Sequence, residues 1–402
     1  MTEANVLSLF WEGFELADYR HADPQTLELE LQPRNDCPPV CSGCNQSTFL
    51  IHDVTRRRVR ERDLFSYRTW LSVPVRRVRC PDCGPRVERI DWLAGRRAMT
   101  RSMSEWVGAL TRLLPVSHVA ELVGLHWHTV RSIDYQRLRD ELQEPDRHQI
   151  RRLIMDEFAL FKGHRYATVV IDADTQQVLW LGEGRSREAV RPFFEWLGPE
   201  ACDRIEAVAM DMNSAFDLEV QHHCANAQVV YDLFHVVAKF GREVVDRVRV
   251  DQANALRQDK AARRVVKRSR WLLLRNRDNL SDEHTVKLDE LLAANAPLST
   301  VYVLKTQLKE LWYARDTATA HSLWQQWYDM ALSSGITPLI QFARKLRPYL
   351  SGIVSSATYR LSTSVLEGMN NRIKVIKRMA YGYRDNDYFF LKIKAAFPGK
   401  VR

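Results

Sequence analysis

The sequence predicts an α+β multidomain chain: a metal-stapled, strand-rich N-terminal module, a small helical module, and an α/β core interrupted by a long helical stretch. Three observations carry that prediction. Two Cys-x-x-Cys pairs stand close together near the N-terminus, the apolar period changes from helical to strand-like after Glu144-Pro145-Asp146, and it turns helical again from about Phe240 to Tyr359. The expected boundaries are 1–95, 96–145, 146–239, 240–359 and 360–402, with 146–239 and 360–402 forming two parts of one core.

Composition narrows the class. The 402 residues carry a formal charge of +9 and a pI near 9.2, a balance that favours a polyanionic partner. At 45% hydrophobic the chain can bury ordinary cores, and its length suggests roughly two to four domains. No apolar run reaches the ~18 residues of a membrane span, and the N-terminus lacks the basic n-region of a signal peptide. A soluble cytoplasmic, nucleoid-associated protein is the expectation. Of seven cysteines, five lie between Cys37 and Cys83, which suits a reduced metal site better than a disulfide framework.

Cys41-Ser-Gly-Cys44 and Cys80-Pro-Asp-Cys83 have the spacing at which two thiolates from one turn bind a tetrahedral ion. Joined by a strand-rich stretch, they describe a zinc ribbon holding Zn²⁺ on Cys41, Cys44, Cys80 and Cys83. Cys37 competes with Cys41 for the first position. Trp70 to Val75 alternates as a strand entering the second knuckle, and Pro74 implies that it lies at a sheet edge. The run Arg56 to Arg62 reads equally as a phosphate contact and as a solvated basic face.

The next module is helical. Ser104 to Leu114 has helical spacing and ends at Pro115; Ser117 is expected to cap a short helix that stops at Gly124; a third helix runs from about Trp127 to Leu138. Helix, glycine turn and helix describe a helix-turn-helix, in which Trp127, His128, Thr129, Arg131 and Ser132 begin the recognition helix and reach base edges. Any three-helix bundle shares the pattern; a preceding zinc ribbon in a basic chain favours DNA.

Three strands in hairpin order follow: Arg152 to Phe158, Tyr166 to Asp172, and Val178 to Leu181. A helix over about Arg187 to Leu197, a strand from Ile205 to Met210 and a strand from Gln228 to Tyr231 complete the order of a ribonuclease-H-like domain. Asp156 and Asp211 each follow an apolar strand run, where a carboxylate is held rigidly enough to bind Mg²⁺. Acids at strand ends are also common as caps of the next helix. The third acid, Glu367, lies far along the chain on a helix capped by Ser362 or Thr363, sharing a face with Asn370, Asn371, Lys374 and Arg378. That face suits metal and phosphate, though a solvated charged face has the same pattern. Two ions about 4 Å apart between such acids can activate an attacking oxygen and stabilise a leaving one.

With these residues in view, the chain resembles the DDE transposases of the ISL-three family of bacterial insertion sequences. The resemblance runs over nearly the whole length: the paired knuckles, the helix-turn-helix, Met155-Asp156-Glu157, Ala209-Met210-Asp211-Met212, Tyr231 to Val237, Arg270 to Asn276, and most specifically Leu366 to Lys374 with Lys377 to Tyr383. The first knuckle departs from the family pattern, because its proline follows Cys37 rather than Cys41.

The resemblance implies a catalytic triad of Asp156, Asp211 and Glu367 holding two Mg²⁺ ions, with Mn²⁺ as a substitute, and places Asp232 and His235 in an acid-x-x-His motif. His235 then bonds the scissile phosphate or orients a carboxylate; a histidine pinning strand to helix is the plainer alternative. The stretch from Phe240 to Tyr359 becomes an all-α insertion, its basic cluster around Arg270 a candidate for holding DNA and its tryptophans core residues. The implied partners are the terminal inverted repeats of the element, target DNA and a second copy of the chain. Two other readings compete: a zinc-ribbon transcription regulator with a degenerate catalytic fold, and a repair or resolvase-type nuclease that follows DNA structure.

Overall fold

A computed structural model describes residues 10–95, 97–161, 163, 165–361 and 364–400. Two compact units emerge, Met1–Glu141 with Arg378–Arg384, and Leu142–Lys377 with Asp385–Arg402.

The first unit opens with a five-stranded sheet of β1 (Phe14–Asp23), β2 (Thr26–Pro33), β3 (Ile51–Arg60), β4 (Arg68–Cys80) and β5 (Gly84–Val87), in the order β1-β2-β4-β3 with β5 also on β4. In β2 the leucines Leu27, Leu29 and Leu31 alternate with Glu28 and Glu30, so one face joins Phe14, Val59, Leu71 and Val73 in a core while the other meets water.

The expected strand around Trp70 is there, but it is interior and not an edge. β4 pairs with β3 along one side; on the other it pairs with β2 over Arg68–Ser72 and with β5 over Arg77–Cys80. The amides of Arg68 and Arg76 both point to that second side, toward Gln25 O and Glu88 Oε1. Pro74, at the same phase, therefore directs its missing N–H into the gap between the two pairings, and no ladder bond is lost.

Three helices follow: α1 (Arg101–Leu110), α2 (Val116–Val123) and α3 (Trp127–Glu141). α1 begins three residues before the expected Ser104 because Thr100 caps it, its side chain accepting from the Met103 amide. It ends at Leu110, and a turn leads to Pro115. Ser117 is inside α2 rather than at its cap. Pro115, with φ −59°, precedes the helix and supplies the turn into it, with no side-chain cap bond. Gly124 ends α2 as expected, at φ +64°. Met103, Val107, Val119, Val123, Val130 and Ile133 form the shared core.

The second unit is built on β6 (Arg152–Phe161), β7 (Arg165–Asp172), β8 (Val178–Glu183), β9 (Ala207–Met210) and β10 (Gln228–Tyr231). Their order is β10-β9-β6-β7-β8; β6, β7 and β8 are antiparallel, while β9 runs parallel to β6 and β10 parallel to β9. The crossovers are helical: α4 (Arg187–Leu197) and α5 (Pro199–Cys202) before β9, and α6 (Ser214–His223) before β10. Ser186 caps α4 through the Ala189 amide, which fixes the start where the sequence predicts it.

After β10 the described chain is helical: α7 (Leu233–Phe240), α8 (Asp246–Ala255), α9 (Lys260–Arg268), α10 (Arg270–Leu274), α11 (Asp282–Ala293), α12 (Ala296–Glu310), α13 (Thr317–Ser333), α14 (Thr337–Leu346), α15 (Leu350–Val354), α16 (Ser364–Met379) and α17 (Asn386–Ala396). Trp324 and Trp327 are buried, as expected of core residues. The helices share one continuous core with the sheet, in which Val208 and Met210 of β9 join Phe240, Leu308 and Phe342. Gly352 marks a close approach: a Cβ there would lie 2.4 Å from the Tyr231 ring at the end of β10.

Candidate active site

Parallel pairing of β6 and β9 brings the first two acids together. The register sets Arg152 beside Ala207, Leu153 beside Val208 and Ile154 beside Ala209, so two residues further on Asp156 and Asp211 fall side by side. Asp156 sits differently from expectation: β6 does not end at the acid but runs on to Phe161, because β7 continues to pair with it past Asp156. Asp211 does follow the end of its strand.

His235 completes a tight group. Asp232 follows β10 and caps α7, accepting from the Phe234 amide at 2.9 Å. That cap starts the helix so that His235, most of a turn on, reaches back with Nδ1 2.7 Å from Asp211 Oδ1 and Nε2 3.6 Å from Asp232 Oδ2. One donor atom each from Asp156, Asp211 and His235 lie within 4.8 Å of one another. His235 thus contacts the carboxylates and spans strand to helix.

Glu367 is exposed in the first turn of α16 and lines the same cavity of about 1250 Å³ as Asp156, Asp211, Asp232 and His235. It stands outside the tight group. The caps expected for its helix, Ser362 or Thr363, lie outside the described residues. One turn on, Asn370 donates from Nδ2 to Asp156 Oδ2 at 2.7 Å, and three turns on Lys377 donates to the carbonyl of Leu160. α16 is thereby fastened to β6 at two points. The sequence motif marks Asn370 as a face-mate of Glu367, but nothing in it shows the bond to Asp156; Lys377 belongs to the motif that carries the family resemblance, but nothing there shows its bond to Leu160.

The electrostatics are those of crowded acids. Burial, helped by the charge of Asp211, pushes the Asp156 carboxyl up to about 6 against the opposing hydrogen bonds from the Glu157 amide and Asn370. Burial alone would lower His235, but its bond to Asp211 and the charges of Asp211, Asp232 and Asp156 raise it. Asn370 Oδ1 is buried and makes no hydrogen bond. Two close carboxylates, with a spare amide oxygen beside them, are hard donors of the kind Mg²⁺ takes, and the residues fit such an ion.

In the first unit the Sγ atoms of Cys41, Cys44, Cys80 and Cys83 lie within 4.8 Å of one another. Gly43 is needed there, since a Cβ would come 2.9 Å from Cys83 Sγ. Amides of Cys44 and Gly43 pull the Cys41 thiol down to about 7. Cys37 is not in this group; its carbonyl accepts from Arg76. The four thiols present the donor set and spacing of a structural Zn²⁺ site.

The DNA-facing candidates divide. Trp127 and His128 are exposed at the start of α3, Thr129 and Arg131 are half-buried, and His126 stacks on His128 at 5.2 Å. Lys374 lines the acidic cavity; Arg378 does not. Arg270 is committed to an ion pair with Asp246 at 2.7 Å. Of the Arg56 to Arg62 run, Arg60 is buried with its guanidinium on the Thr69 and Val123 carbonyls, while Arg56 and Arg58 pair with Glu30 and Glu28.

Comparison with known proteins places this arrangement. Residues 153–393 match a family described as transposase, 38–83 the zinc-finger of transposase IS204/IS1001/IS1096/IS1165, and 88–138 the helix-turn-helix domain of transposase family ISL3. The transposase for insertion sequence element IS1001 from Bordetella parapertussis is 52% identical over 395 residues, 98% of this chain and 97% of that protein. The transposase for insertion sequence element IS1557, in two strains of Mycobacterium tuberculosis, is 24% identical over 396 residues, 93% of this chain and 89% of that protein. Cysteine knuckles, helix-turn-helix and acidic core in one chain define a DNA-binding transposase of an insertion sequence. The chain belongs to the ISL3 family of DDE transposases.

Proposed function

We propose that the chain binds the terminal inverted repeats of its element through the zinc ribbon and helix-turn-helix, cuts the element ends by hydrolysis, and joins the freed 3′-hydroxyl to target DNA. The observation that carries this reading is the closeness of Asp156 and Asp211, each two residues past the last β6–β9 pair, in a cavity that Glu367 also lines. The strand order β10-β9-β6-β7-β8 supports a ribonuclease-H-like core, and the helices between α7 and α16 support an insertion that separates Glu367 from the first two acids.

Asp156, Asp211 and Glu367 are the residues to hold two Mg²⁺ ions, for which Mn²⁺ can substitute. When bound, such ions lower the pKa of an attacking water and neutralise charge on the leaving oxygen. The chain's own residues prepare the site. His235 orients Asp211 and is itself braced by Asp232, and Asn370 orients Asp156. Trp127, His128, Thr129 and Arg131 are positioned at the start of α3 to meet base edges, with Lys374 at the cavity for phosphate. Cys41, Cys44, Cys80 and Cys83 hold the structural Zn²⁺ that keeps the ribbon folded. The working form is a homodimer on paired ends, in the cytoplasm at the nucleoid.

Asp211→Asn tests the reading. It preserves shape and one acceptor oxygen but removes the charge, so strand cleavage of an end-containing duplex in Mg²⁺ should fall by roughly 10²–10³-fold while the mobility shift of that duplex persists. Retained cleavage would sink the assignment, and cleavage of scrambled duplexes at the same rate would favour a structure-directed nuclease.

A further inference from the structure

The acidic residues are one part of the cavity's lining. Another part comes from the ends of α10 and α12. Lys305 of α12 is 1% exposed, and its ammonium donates to the Leu273 and Arg275 carbonyls at 2.5 and 3.0 Å. Burying a lysine to hold two carbonyls is costly, and what it fixes is the turn that presents Arg275 and Asn276 to the cavity. One turn along α12, Lys309 donates to Asn276 Oδ1 and lines the cavity as well. Trp312 then donates from Nε1 to the Tyr231 carbonyl at 2.9 Å, tying this part to the strand that precedes Asp232.

Tyr313, next to that anchored tryptophan, lines the cavity with 78% of its surface exposed; Phe234, in the acidic part, is 65% exposed. A single exposed aromatic needs no explanation. Two in one cavity, with cations in the braced part and a phosphodiester-cutting centre in the acidic part, match how single strands are held: base on ring, phosphate on cation.

From this arrangement we propose that the cavity takes one unpaired nucleotide of the element end, its base stacked on Tyr313 and its phosphate held by Lys309 and Arg275. The inference rests on the proposed end-cutting activity and deepens it. Extruding one base frees the adjoining phosphodiester from the duplex stack, so that it can reach Asp156 and Asp211.

The test uses the full chain and a duplex carrying the element's terminal sequence, with 5-iodouracil at the nucleotide adjoining the cut. Irradiated with Ca²⁺ replacing Mg²⁺, the complex should give a covalent adduct on Tyr313, located by mass spectrometry. In Mg²⁺, Tyr313→Ala should slow cleavage of the paired end roughly tenfold to hundredfold; Tyr313→Trp should retain it, and an end already mismatched at that nucleotide should restore most of the Tyr313→Ala loss. An adduct elsewhere, or no adduct on a shifted duplex, overturns the inference, as does a Tyr313→Ala chain that cuts paired ends normally or gains nothing from the mismatch. The cross-link needs no cleavage, so an adduct on Tyr313 in a chain that never cuts would sink the end-cutting reading alone.

Discussion

Replacing Asn370 with alanine removes one hydrogen bond, from Nδ2 to Asp156 Oδ2 at 2.7 Å, and one buried oxygen that has no hydrogen-bond partner. A bond to a charged group contributes about 1.5–3 kcal/mol. Because burial already pushes the Asp156 carboxyl up, losing that donor leaves the carboxylate harder to keep charged, with the Glu157 amide as its remaining hydrogen-bond donor. The effect falls on cation binding, and outer-shell partners of this kind are worth roughly 10–100-fold in metal affinity, which agrees with the bond energy at about 1.4 kcal/mol per tenfold. The half-saturating Mg²⁺ for end cleavage should therefore rise by roughly 10–100-fold, with the maximal rate regained at high Mg²⁺ and the mobility shift of the end unchanged. Thermal unfolding without Mg²⁺ serves as the control and should show a loss no larger than this one bond, about 1.5–3 kcal/mol. An Asn370→Ala chain with the wild-type Mg²⁺ curve would refute the argument that this side chain positions Asp156.

Two further outcomes follow from buried groups. Cys41→Ser should lose bound zinc, measured by metal analysis of the purified chain, and melt the sheet of the first unit, whereas Cys37→Ser should keep both, since only Cys41 is in the four-thiol group. Burial pushes the Lys305 ammonium down to about 7, so the folded chain gives up this proton between pH 7 and 10.5 while the unfolded chain keeps it. Its cost is full below pH 7 and is relieved as pH rises, so wild type should gain stability relative to Lys305→Met across that window, on the order of several kcal/mol. A difference in denaturation midpoint that does not vary with pH would contradict this.

The strand and helix order of the second unit was legible because each buried strand is an apolar run and α4 opens on a strong cap at Ser186. β2 lies outside the expected strands, although leucine alternates with glutamate along it. β1 was not legible: past Leu16 it is mostly polar and exposed, and its place comes from pairing with β2. Misplaced details share a cause, which is that a local rule met a tertiary exception. Pro74 signals an edge, yet the gap between two pairings serves as well. An acid after an apolar run signals a strand end, yet β7 carries β6 past Asp156. Ser117 is a good cap by type, but Pro115 had already begun the turn. The site was readable as residue types and spacing. Its working contacts were not, since Asn370 and Asp156 are 214 residues apart and no local period encodes a pairing at that range.

The position of Glu367 depends on a spacing that can be broken without touching it. α16 is held to β6 by Asn370 on Asp156 and by Lys377 on the Leu160 carbonyl, anchors about 10 Å apart along a helix that rises 1.5 Å per residue. Two anchors fix both the height and the rotation of a helix, so the direction of Glu367 is set by its offset from Asn370. Inserting one alanine directly after Glu367 turns the acid by about 100° and should carry it off the cavity while both anchors and the apolar face of Met369 and Ile373 survive. Cleavage should then fall as far as in Glu367→Gln, with end binding and thermal stability close to wild type. Inserting the alanine after Lys377 instead leaves Glu367 in register and should keep cleavage. If the first insertion cut ends normally, Glu367 would not be acting from the face that the anchors impose, and the third acid of the site would have to be sought elsewhere.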